Sequence, residues 1–93
     1  MIKVRFFTLL HLLLNRREME LVSVPGEQVD GLLARLQEQI EIPFLHKLTA
    51  ENGELKVGTI IMVNGKHVLH LDGLKTPLND GDEVALFPPG GGG

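Results

Sequence analysis

Val29, Leu32, Leu33, Leu36 and Ile40 fall at i, i+3, i+4, i+7 and i+11, the one-sided stripe of an amphipathic helix. It is the one clear helical pattern in this 93-residue chain, and it sits between two regions that read as short strands and turns. One main helix must therefore pack across a sheet. Asp30 lies in the first turn, where the helix dipole favours an anion. Gln28 is a poor N-cap, and Gly31 costs up to about 1 kcal/mol against alanine. The stripe outweighs both, because packing supplies most of a helix's stability in a folded chain. Pro43 ends or kinks the helix, and Phe44, Leu45 and Leu48 predict a further short apolar turn.

The flanking segments have strand character. Ile2, Val4 and Phe6 alternate with Lys3, Arg5 and Phe7, which predicts a half-buried strand with Phe7 on its polar side. Thr8 to Asn15 is apolar and can form a short helix, though the residues alone leave its conformation open. Met19 to Val24, closed by Pro25-Gly26, reads as a hairpin partner of the first strand. Val57 to Val63 is apolar at both parities, as expected of a strand covered on both faces. Asn64-Gly65 is a strong hairpin signal, with Lys66 to Leu71 returning as a short edge strand. Asn79-Asp80-Gly81-Asp82 turns the chain into a last strand, Glu83 to Phe87, with Val84 and Leu86 on one face and Ala85 and Phe87 on the other. The expected class is α+β: a mixed sheet of four to five strands with one main helix across it, the β-grasp arrangement.

Two prolines stop the last strand, and the chain then runs Gly90-Gly91-Gly92-Gly93. Proline fixes φ and donates no backbone hydrogen bond, so Pro88-Pro89 holds the chain extended and out of the ladder. Glycines have no side chain to pack. The expected organisation is a domain over residues 1–89 and a flexible tail over 90–93.

Composition narrows the function. The net charge is −3 and there is no Trp or Tyr, which argues against a nucleic-acid partner. The longest apolar run, Leu9 to Leu14, is broken by His11 and is far too short for a membrane span. The strand-like start at Met1-Ile2-Lys3-Val4 is unlike a secretory leader, and there is no cysteine. A cytoplasmic protein without a membrane partner is expected. His67 and His70, three apart on an extended strand, would face opposite ways and could not share an ion. His11 and His46 have no partner nearby in sequence, so no metal site is expected. Asp80, Asp82 and Glu83 suit turn chemistry better than calcium. Ser23, the only serine, lies in a strand, and no phosphate-cradling loop opens a helix. Catalysis by this chain alone is not expected.

Val63-Asn64-Gly65, Leu74-Lys75-Thr76-Pro77-Leu78-Asn79-Asp80-Gly81-Asp82-Glu83-Val84, Phe87-Pro88-Pro89 and the terminal Gly92-Gly93 resemble the MoaD/ThiS family of ubiquitin-like sulfur carriers. The likeness is greatest to molybdopterin synthase small subunits, and Met1 to Val4 with Phe6-Phe7 extends it over nearly the whole chain. Positions 90 and 91 depart from such tails, which usually carry a small or aliphatic residue there. The resemblance implies that Gly93 is the site of adenylation and thiocarboxylate formation, with Gly92 leaving room around it. It implies no stably bound cofactor, ATP being used by an adenylating partner of the ubiquitin-activating type (MoeB/ThiF-like). The second implied partner is the large subunit of molybdopterin synthase (MoaE-like), which would receive the sulfur.

Exposed aromatics on a sheet are candidate anchors for a partner. Phe7, Phe87, Pro88, Pro89, Gly90 and Gly91 are therefore the expected partner-binding residues, with Ala85 and Ile61 as further members of the patch. The competing expectation is that the short segment Leu9 to Leu14 covers the two phenylalanines. Other readings of the tail are sulfur delivery to thiamin, tungsten-cofactor, thiolated-tRNA or cysteine synthesis. Conjugation of Gly93 to lysines of target proteins is another, and so is a binding module whose tail does no chemistry.

Overall fold

A computed structural model describes residues 1–90. Five strands form one mixed sheet in the order β2-β1-β5-β3-β4: β1 (Ile2–Phe6), β2 (Glu18–Leu21), β3 (Ile60–Val63), β4 (Lys66–His67) and β5 (Glu83–Phe87). β1 and β5 run parallel at the centre, and every other pairing is antiparallel. The long helix α2 (Val29–Gln39) packs across one face, with Val29, Leu32, Leu33 and Leu36 buried. Facing them are Ile2, Val4 and Phe6 of β1, Leu21 of β2, Ile61 and Val63 of β3, and Val84 and Leu86 of β5. Each such side chain gains roughly 1.5–3 kcal/mol from leaving water, set against the entropy of ordering it. This is the expected α+β, β-grasp architecture.

Local chemistry accounts for the details. Gly31 is helical without a side chain because Glu27 packs over it: a Cβ there would meet Glu27 Cγ at 3.2 Å. Glu27 in turn grips Arg35 through two hydrogen bonds of 2.7 and 2.8 Å, and Arg35 also donates to the Val22 carbonyl. The loop before α2 is thereby tied to the helix. Beyond the helix, Gln37 donates to the carbonyls of Ile40 and Ile42 and accepts from the amides of Phe44 and Leu45. One amide side chain satisfies four backbone groups and seats Phe44 in the core.

β2 pairs with β1 as expected, and the connection forms the short helix its apolar run allows, α1 (Thr8–Leu14), closed by Asn15 in the left-handed conformation. The structure departs from the pattern reading in two elements. The strand expected over Val57 to Val63 spans only Ile60–Val63 and is covered on one face. Val57 is 98% exposed, and Gly58 turns the chain at φ +93° before pairing begins. The returning strand is only Lys66–His67, after which Val68–His70 coils into a 3₁₀ turn that buries Val68. Among the described residues no helix is long and apolar enough to cross a membrane.

Candidate docking face and carboxyl-terminal exit

Among the described residues, no helix buries its side chains against the second face of the sheet. Strand register places its residues in rows. Arg5 neighbours Glu18 and Ala85, Ala85 neighbours Met62, and Met62 neighbours His67. One row on, Ile60 is opposite Phe87, and Phe7 follows Phe6, which lies opposite Leu86. The face is thus polar towards Lys3, Glu20 and Glu83 and apolar towards the end where β5 runs out.

Phe7 and Phe87 form the centre of that apolar end. Their rings stack with centroids 4.3 Å apart and planes inclined by 10°. The Arg5 guanidinium lies 5.4 Å from the Phe7 ring centre and donates to Glu83 Oε1 at 3.1 Å. Stacking holds the two rings together, and the cation adds to the hold on Phe7. Both remain half-buried, because α1 buries Leu10 and Leu14 instead of covering them. A shallow depression of about 300 Å³ runs beside the pair, lined by Arg5, Phe7, Met62, Glu83, Ala85 and Phe87 among others.

Two expected docking residues are corrected. Ile61 is fully buried in the core; its neighbours Ile60 and Met62 belong to the open face. The alternation of β3 begins only at Ile60, after the turn at Gly58, which sets Ile61 inward. Pro88 is buried by its own domain, so it pins the end of β5 and presents no docking surface. Pro89 is half-buried and closely approaches Gly58, where a Cβ would lie 3.4 Å from Pro89 Cβ. Gly90 is exposed, with nothing within 4 Å of where a Cβ would stand. Gly91, Gly92 and Gly93, named above for partner binding and for the chemistry, lie outside the described residues.

The acidic turn before β5 is engaged in holding the sheet together. Asp82 accepts from the Asn79 amide and from the Asn64 side chain, and Asn64 Oδ1 accepts from the Glu83 amide. Asn64, at φ +51°, thus stitches the β3–β4 turn to the start of β5. Asp80 accepts from the Met1 ammonium group and from Ser23, and the Met1 contact holds its carboxyl below the usual range. His67 and His70 do not face opposite ways. His70 lies on the 3₁₀ turn, so its ring meets that of His67 edge-on at 6.2 Å and is not turned away from it. His67 Nδ1 is occupied by the Leu69 amide, and the described residues contain no group of three or more His, Cys, Asp or Glu side chains placed to hold a metal.

The ThiS family model matches residues 4–93. The chain belongs to the ThiS family. This ThiS-family chain is 51% identical over 66 residues to small archaeal modifier protein 3 of Haloferax volcanii, a match covering 71% of the chain and 58% of that relative. It therefore spans little more than half of that protein's length. It is 36% identical over 80 residues to a protein of Archaeoglobus fulgidus that carries the name sulfur carrier protein, 86% of this chain and 89% of the other. The crystal structure of small archaeal modifier protein 1 from Haloferax volcanii superposes with a TM-score of 0.79 over 99% of this chain and 98% of that one. At 23% identity that likeness speaks for the fold alone. A ThiS-family member is a ubiquitin-like protein of the carrier and modifier kind.

Proposed function

We propose that this protein is a sulfur carrier whose working atom is the carboxyl carbon of Gly93. The observation that carries the reading is the exit of the chain: buried Pro88 fixes the end of β5, and Gly90 leaves into open space beside the Phe7–Phe87 patch. A partner can then bind the patch and receive the glycines in one engagement. A carboxylate is a poor electrophile. In the proposed reaction a Gly93 oxygen attacks the α-phosphorus of ATP on the activating partner and pyrophosphate departs. Hydrosulfide then attacks the acyl carbon; the carbon–sulfur bond forms and AMP leaves with the electron pair. With a persulfide donor a second thiol cleaves the sulfur–sulfur bond afterwards. Either route ends in a thiocarboxylate. The absence of a Cβ at Gly92 and Gly93 leaves room for the nucleotide and the nucleophile.

The recipient we propose is a pterin precursor held by the large subunit of a molybdopterin synthase, on the likeness of Leu74 to Val84 and Phe87-Pro88-Pro89 to the small subunits of that enzyme. A second reading, favoured by the 51% identity to a modifier protein, joins the activated Gly93 to lysines of other proteins.

One experiment separates them. The protein is incubated with ATP, a cognate activating enzyme and a sulfide source, and its intact mass is taken. Exchange of one oxygen for sulfur at the terminus supports the carrier, and lysine-linked adducts in cells support the modifier. Unchanged mass with every activating enzyme tested, and no adducts, ends both. Deleting Gly93 is expected to abolish the exchange while leaving the melting temperature unchanged.

A further inference from the structure

Between β1 and α1 lies a separate cavity of about 110 Å³, several times the ~30 Å³ share of one water. Arg5, Phe6, Phe7, Thr8, His11 and Arg17 line it. Two arginines, a histidine and a threonine are among its lining residues, in a chain whose net charge is −3. Guanidinium groups donate and cannot accept, and they match the geometry of tetrahedral oxyanions. No carboxylate lines the cavity. Arg5 is shared with Glu83, and Glu18 is turned to Lys3 at 3.9 Å. Arg17 is in none of the ion pairs among the described residues. Thr8, at the wall of the cavity, has φ +50°, a left-handed conformation unusual for a β-branched residue. Arg17, outside every ion pair of the described residues, Arg5 and the left-handed Thr8 therefore border one small void.

We propose that this cavity is a binding site for a phosphate-class oxyanion, either free phosphate or the phosphate of a small monoester. Arg17 supplies the dominant charge, Arg5 a second fork, and Thr8 and His11 further hydrogen bonds. The arginines are solvent-exposed, so binding is weak and falls with salt. Arg5 borders the docking depression as well, so a bound anion competes with Glu83 for it. The proposal does not depend on the chemistry assigned to Gly93.

The test follows amide NMR signals of the full chain as sodium phosphate, AMP or adenosine is added at constant ionic strength, with chloride as the counter-ion control. Saturable shifts confined to Thr8, His11, Arg17 and their neighbours are expected with phosphate. Arg17→Ala should weaken binding about tenfold, the loss of one charge-assisted contact. The fold should survive, because the backbone carbonyl of Arg17, not its side chain, receives the Phe6 amide at 2.8 Å. Arg16→Ala, next door but outside the lining, should change nothing. AMP binding at least as tightly as phosphate, with adenosine inert, identifies a monoester; phosphate alone identifies the free ion. Shifts that do not saturate, that chloride reproduces, or that Arg17→Ala leaves unaltered overturn the site.

Discussion

The two faces of the sheet are made from the same strands and behave as different materials. Along β5, Val84 and Leu86 are fully buried, while Ala85 and Phe87, one residue out of phase, are half-buried on the open side. β3 repeats this, with Ile61 and Val63 beneath α2 and Ile60 and Met62 outside. Both faces are apolar near the end where the chain leaves, yet a helix covers only one. The first face holds the domain together. The second carries large apolar side chains that the fold does not need in order to close, which is what a surface kept for a partner requires.

Adjacent residues of one strand provide the severest way to break that contrast. Leu86→Ala should cost about 2–5 kcal/mol in urea unfolding, the range for a fully enclosed leucine. Phe87→Ala removes a larger side chain but should cost only about 1–2 kcal/mol, since the ring is only partly buried and one stack is lost. Its cost in partner affinity should be at least about 2 kcal/mol if the ring is an anchor. Equal stability losses for the two variants would mean that the open face is as structural as the covered one.

Gln37→Ala asks how far the covered face depends on the loop behind it. Four backbone groups lose their partner, and Phe44 loses the bond that seats it. A loss of about 1–3 kcal/mol is expected, with carrier activity retained in the folded fraction. Within the open face, a double-mutant cycle on Phe7 and Phe87 should give a coupling of about 0.5–1.5 kcal/mol. Zero coupling would mean that the rings sit side by side without supporting each other.

Much of this was legible in the residues, and the failures share a cause. Period-2 alternation located β1 and β5, and the stripe from Val29 to Ile40 located α2 to within a residue. Alternation gives a strand's phase only where its start is known, and Val57 to Val63 begins with an exposed valine and a turn. Apolar residues at both parities suggest two covered faces. In a chain with one main helix they instead mark an uncovered apolar face, and that signal would have picked Ile60 and Met62 in place of Ile61. Gln37 and the burial of Pro88 left no trace in the pattern. Each depends on which backbone groups come within reach after folding, a tertiary fact that no local period encodes. Gly31 was legible as a cost, but its compensation by Glu27 was not.

The smallest expected effect concerns the rim of the covering helix. Lys75 donates to Asp30 Oδ2 at 2.7 Å, joining the 3₁₀ turn at Gly73–Lys75 to the first turn of α2. That bond, chiefly, holds the Asp30 carboxyl below its ordinary value, against some opposing desolvation. A carboxylate whose folded-state pKa is depressed adds stability above the unfolded value of about 3.9 and loses it as pH falls through the lower folded value. Lys75→Met should therefore lower stability near neutrality and shrink the loss on acidification. With the side chains 38% and 70% exposed, the difference should stay below about 1 kcal/mol and fade at high salt. Asp80 titrates in the same window, so the comparison must be made between the variant and the parent across pH, not within one curve. An acid profile identical in both proteins would mean that the helix rim owes nothing to charge, leaving the covered face to its apolar contacts alone.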